Sequence, residues 1–123
     1  MKAIAWIVLS ASALTLAGCS KHLVGHAAER SGAERSAPEL MVQYGCPACH
    51  VIPHVPGAVG QVGPSLAGLA QRSYIAGTLP NTPENRVSWI MHPQHVRPGT
   101  AMPEMGVSEQ DARRIQIFLE MAR

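Results

Sequence analysis

Five consecutive residues, Cys46-Pro47-Ala48-Cys49-His50, constrain this 123-residue chain more than any other feature. Two thiols separated by two residues sit about one helical turn apart, so both reach one edge of a flat ligand while the next imidazole falls beneath its face. C-x-x-C-H is the attachment pattern of haem c, in which the thiols form thioethers with two vinyl groups and the histidine binds the iron. One covalent haem is therefore expected, with Cys46 and Cys49 as thioethers and His50 as a metal ligand. Two other chemistries use C-x-x-C. A zinc site would need a second pair of ligands, and the remaining cysteine, Cys19, has another assignment below. A redox dithiol would sit in a βαβ context, which the chain does not present.

Composition fits a chain that borrows part of its core. Aromatic residues are 4% of the total, against 11 Gly and 10 Pro. So short, loop-rich and aromatic-poor a chain builds a thin core alone, and a buried macrocycle would thicken it as metals and disulfides do in other small domains. The formal net charge is +2. That is too small to argue for a nucleic-acid partner or strong membrane-surface electrostatics, and no nucleic acid is expected.

Residues 1–18 read as a signal peptide. Lys2 supplies the charged start, and Ile4 to Leu16 is an apolar run too short for a comfortable membrane span. Leu16-Ala17-Gly18-Cys19 resembles the bacterial lipobox, in which the cysteine becomes the lipidated first residue. The expected location is the periplasmic or outer face of a bacterial membrane, held by a lipid on Cys19; haem c is attached outside the cytoplasm. Residues 19–36 carry no sustained apolar period and read as a solvated tether that includes His22 and His26. Residues 37–123 then form one domain.

An all-α architecture is expected, about three to five helices around the haem, with no strand pattern. Ser36 and Glu39 have capping-box spacing, and Leu40, Met41 and Tyr44 share a face of a first helix that delivers the cysteines. Pro53, Pro56, Gly57, Gly60 and Gly63 keep His50 to Gly63 a loop, and Pro64 opens a second helix through Leu66 and Leu69. A carbonyl in this loop is the expected acceptor for the second ring N–H of His50. Thr82-Pro83 starts a third helix that Pro93 ends at His92, with Val87, Ile90 and Met91 inward. Pro93 to Gly106 is a loop. Ser108 caps a last helix whose stripe is Ala112, Ile115, Phe118, Leu119 and Ala122.

An electron-transfer haem takes two protein ligands, and a thioether opposite histidine raises its reduction potential. The candidates are Met102, Met105, His92 and His95. Met102 is preferred, because the prolines of Arg97-Pro98-Gly99-Thr100-Ala101-Met102-Pro103 restrict the loop and lower the cost of ordering the sulfur. Met41, Met91 and Met121 read as packing residues.

From about Pro38 to Phe118 the chain resembles the class I c-type cytochromes, through Cys46-Pro47-Ala48-Cys49-His50, Gly63-Pro64-Ser65-Leu66, Met102-Pro103 and the terminal amphipathic helix. The stretch from Tyr74 to Asn85, with Trp89-Ile90, is most similar to the cytochrome c domain fused to subunit II of haem-copper oxidases. The resemblance implies His50 and Met102 as axial ligands, Pro64 carbonyl as acceptor from His50, Arg72, Tyr74 and Trp89 near the propionates, and Phe118 against the first helix. Two features depart from that family: the copper-binding half that precedes such domains is not within these residues, and position 92 is His where an acidic residue is usual.

The function expected is a monohaem, lipid-anchored one-electron carrier, not an enzyme, in a bacterial respiratory or related redox chain. Its partners are redox proteins such as a terminal oxidase or dehydrogenase. The rivals are a haem subunit permanently docked on an oxidase or dehydrogenase, and a haem peroxidase or gas-binding protein should Met102 not bind iron. His54, His92 and His95 read as surface histidines, with a pH-dependent docking edge as the sharper alternative.

Overall fold

The computed structural model describes residues 35–123. The leader, Cys19, His22, His26 and most of the tether lie outside the described residues. Helix α1 spans Ala37–Gln43; Pro38 stands in its first turn. Glu39 Oε2 accepts hydrogen bonds from both the backbone N–H and the hydroxyl of Ser36, each at 2.8 Å, so the start signal is satisfied locally. Leu40 and Met41 are buried; Tyr44 caps the end. Gly45 follows at φ 78°, a left-handed turn that glycine adopts at little cost, and the chain enters a one-turn 3-10 helix, Cys46–Ala48.

The predicted second helix does not form at Pro64. Its backbone groups are engaged sideways. Leu66 N–H donates to Val51 O, Ser65 Oγ accepts from Ala67 N–H, and the Arg72 guanidinium donates to Ser65 O and Ala67 O. Only Leu69–Gln71 remains as a 3-10 turn, entered through Gly68 at φ 61°.

A two-stranded antiparallel ladder, β1 Tyr74–Ile75 and β2 Leu79–Pro80, follows, where no strand was expected. Two-residue strands carry no readable period. Their turn places Ala76 at φ 50° and Gly77 at φ 95°, and the alternation sends Ile75 inward and Tyr74 outward.

Helix α2, Pro83–Met91, is capped by Thr82, whose hydroxyl accepts from Asn85 N–H at 3.2 Å. Pro93 ends the pattern of α2 as expected, yet it also occupies the first position of a further helix, α3, Pro93–Val96, inside the predicted loop. Helix α4, Glu109–Met121, packs on α1, on α2 and on the Leu69–Gln71 turn. Its Ala112, Ile115 and Leu119, with Ala122 just beyond its end, are buried against Leu40, Met41, Val87 and Ile90 as the stripe predicts, while Phe118 is half-buried at the edge of this core.

Ser108 caps α4 by accepting from Asp111 N–H at 3.2 Å, but the Asp111 carboxylate does not close a reciprocal box. It accepts instead from the Tyr44 hydroxyl at 2.8 Å, tying the end of α1 to the start of α4. That bond raises the Tyr44 phenol above the ordinary tyrosine value, with burial adding to the effect. Among the described residues no helix is long and apolar enough to cross a membrane.

Candidate functional site

The cysteines are presented by the first turn after α1. His50 N–H and Cys49 N–H both donate to Cys46 O, at 3.0 and 3.2 Å, so the motif folds as the compact turn its spacing implies. Cys46 and Cys49 are free thiols. Burial pushes the Cys46 thiol up, with its own backbone amide opposing and Cys49 adding to the rise.

His50 is held from below. Its Nδ1 lies 2.7 Å from Pro64 O, and a carbonyl can only accept, so Nδ1 is the donor there and Nε2 is the ring nitrogen left outside that bond. Glycine makes this approach possible. A Cβ on Gly63 would lie 2.3 Å from His50 Cε1, and one on Gly60 would lie 2.5 Å from Ala48 O. Gly63 N–H donates to Cys49 O at 2.7 Å and Gly60 N–H to Pro47 O at 3.2 Å, which stitches the loop under the motif.

Above this floor opens a cavity of about 630 Å³, within the range of small-molecule and cofactor sites. Cys46, Cys49 and His50 line it, together with Met41, Leu66, Leu69, Ile75, Ile90 and Ile115 from the core. Met102 and Met105 line it as well, and His92 and His95 do not. His92 is exposed, with Nδ1 3.8 Å from Glu104 Oε2, and His95 is also at the surface. His54 is an exposed loop residue at φ 61°. Met105 turns toward the motif: its Cε would stand 3.5 Å from a Cβ on Gly45.

Arg72 and Trp89 line the cavity, and Tyr74 does not. Tyr74 is 60% exposed, because the two-residue strand gives the inward position to Ile75. Sequence reasoning missed two other cations in the wall, Arg86 and Arg97. Arg86 is 4% exposed; its Nη1 donates to Asn81 Oδ1 at 2.8 Å, its Nη2 lies 3.4 Å from Glu120 Oε2, and its Nε is buried without a partner. The available signal was its position four residues before Ile90, on the apolar face of α2. Arg97 donates to Ala76 O at 2.6 Å, joining the end of α3 to the hairpin turn.

The donor set is therefore two thiols, an imidazole with a free nitrogen, and two thioethers, in apolar walls edged by guanidinium groups. It fits a flat iron-bearing macrocycle with acidic substituents. No protein-family model matches the chain. An 83-residue stretch, 66% of the chain, is 32% identical to cytochrome c oxidase subunit 2 of Alkalihalophilus pseudofirmus, of which it covers 23%. The chain thus spans about a quarter of that relative, and the match links it to subunit II of the haem-copper oxidases.

Proposed function

We propose that the chain is a monohaem c-type cytochrome domain of the all-α class I kind that carries single electrons, with haem c on Cys46 and Cys49 and with His50 and Met102 as axial ligands. One observation carries the reading: both cysteines, His50 and Met102 border a single apolar cavity, and His50 Nδ1 is already committed to Pro64 O. The haem would supply one-electron redox chemistry at iron. The chain's part is to hold and insulate it. Pro64 fixes the imidazole tautomer and orientation, which strengthens Nε2 as a donor. The apolar side chains lining the cavity would shield a haem held there from water, and His50 and Met102 would be the residues that hold its iron. Arg72 and Trp89 are the residues that would meet the haem carboxylates.

A lipid on Cys19 would hold the domain at the periplasmic or outer face of a bacterial membrane, near its redox partners. The similarity to an oxidase subunit favours a terminal oxidase as the electron acceptor. It equally favours the second reading, permanent docking on such a complex, which co-purification with a larger assembly would establish.

The test is the optical spectrum of the chain produced with haem-maturation machinery. Covalent low-spin haem is expected, with the far-red ferric band of an iron–thioether bond lost in Met102→Ala and kept in Met105→Ala. High-spin iron that binds carbon monoxide readily would overturn the carrier reading in favour of peroxidase or gas-binding chemistry.

A further inference from the structure

The loop that brings Met102 to the cavity has no regular structure, and one side chain from a neighbouring helix holds most of it. Gln94, the second residue of α3, donates from Nε2 to Thr100 O and to Met102 O, each at 2.8 Å. Its Oε1 accepts from Gly99 N–H at 3.2 Å, so the side-chain amide binds the loop through both ends. The Gln94 backbone N–H donates to Glu104 Oε1 at 3.0 Å, fastening the far side of Met102 to the same residue. Contacts thus flank Met102 in the sequence, and one falls on its own carbonyl.

We propose that Gln94 is the positioning residue that keeps the Met102 sulfur in the cavity, acting through the loop backbone and touching no part of the haem. This rests on the reading of His50 and Met102 as the axial pair. A thioether is a weak, uncharged ligand, so its occupancy at iron depends on how often the loop presents it. Thr100 O and Met102 O are paired by a donor that no backbone group replaces. Without that donor both carbonyls turn to water, the loop samples open states, and an external ligand competes better in proportion to the open fraction. Several features make Gln94 suited to this. It is partly buried, as are its bonds to Thr100 O and Met102 O, and the buried Pro93 anchors the start of its helix. Helix α3 also packs on α2, so the clamp is referred to the core rather than to another loop.

The charge and donor count of the side chain make the test sharp. Gln94→Glu preserves shape and replaces the two-proton donor with an acceptor aimed at two carbonyls; Gln94→Leu preserves volume and removes all three side-chain bonds. The readouts are the far-red ferric band and imidazole affinity of the haem-loaded full chain, with Gln110→Glu on the exposed side of α4 as control. In both Gln94 variants the band should weaken and imidazole should bind about tenfold tighter or more, with covalent haem and helix content retained. The control should match the parent chain. Band and imidazole affinity within about twofold of the parent in both variants overturn the proposal while leaving Met102 as ligand. A parent chain without the band, or a band that survives Met102→Ala, overturns the axial reading and the clamp with it.

Discussion

Two residues next to the haem motif show how little freedom the site has. At Gly63 an added methyl would overlap the His50 ring, at 2.3 Å from Cε1. Gly63→Ala should therefore push the imidazole off the Pro64 carbonyl. The expected outcome is poor haem incorporation or a high-spin fraction, read by absorption, while the Gln110→Glu control on the exposed side of α4 leaves the spectrum intact. Tyr44 gives a pH-dependent case. Its hydroxyl proton is held by Asp111, which raises the folded phenol above its unfolded value of about 10. A raised acid stabilises the fold fully below the unfolded value, and the contribution is lost as pH climbs through the folded one. Tyr44→Phe should cost about 1 kcal/mol in urea unfolding at neutral pH, and the difference from the parent should shrink above about pH 10.

Between elements, the α2–α4 contact carries a buried polar network where apolar packing would be the ordinary solution. Asn81 Nδ2 donates to Leu69 O and Arg72 O, and its Oδ1 accepts from Arg86, which reaches Glu120 on α4; Gln116 Nε2 donates to the same carboxylate. Arg86 is buried, whereas the Glu120 side chain is 51% exposed, so solvent neutralises one partner and the protein must neutralise the other. Glu120→Gln removes the carboxylate that faces the buried Arg86 and should cost about 1–3 kcal/mol, more than the loss of an exposed ion pair. Arg86→Met leaves Asn81 Oδ1 without its donor and should cost about 1–2 kcal/mol by denaturant unfolding. In the haem-loaded chain a cation in the cavity wall favours the electron-rich state, so Arg86→Met should also lower the reduction potential. The start of α4 offers a simpler case: Ser108→Ala removes the cap on Asp111 N–H and should cost about 1 kcal/mol in the same measurement.

For the whole molecule, the cavity is the largest fact. Elements from both ends of the domain turn apolar side chains, Met41 and Leu119 among them, toward a space of about 630 Å³. On the proposed reading, a haem joined to Cys46 and Cys49 would contribute stability as well as redox chemistry, and Cys46→Ser/Cys49→Ser chain made without covalent haem should melt well below the haem-loaded form in calorimetry. The loop from Val51 to Val59 closes on itself, and its Ile52, Val55 and Ala58 are buried as part of the core.

What the sequence determined by itself was whatever is encoded in contiguous residues. The cysteine turn, the helix starts at Ser36, Thr82 and Ser108, and the stripe of α4 follow from spacing, caps and period, because each depends on groups within a turn or two of one another. The tertiary structure decided the rest. The segment after Pro64 stayed out of a helix because Val51 and Arg72 claimed its backbone, and Pro93 began a helix as well as ending one because a buried site awaited it. Tyr74 left the cavity and Arg86 entered it through a strand alternation and a helix face that only packing orients. Gln94 became a clamp because the fold folds the Gly99 to Met102 loop back over α3, and a hydrogen bond to a backbone carbonyl leaves no trace in which residue carries that carbonyl.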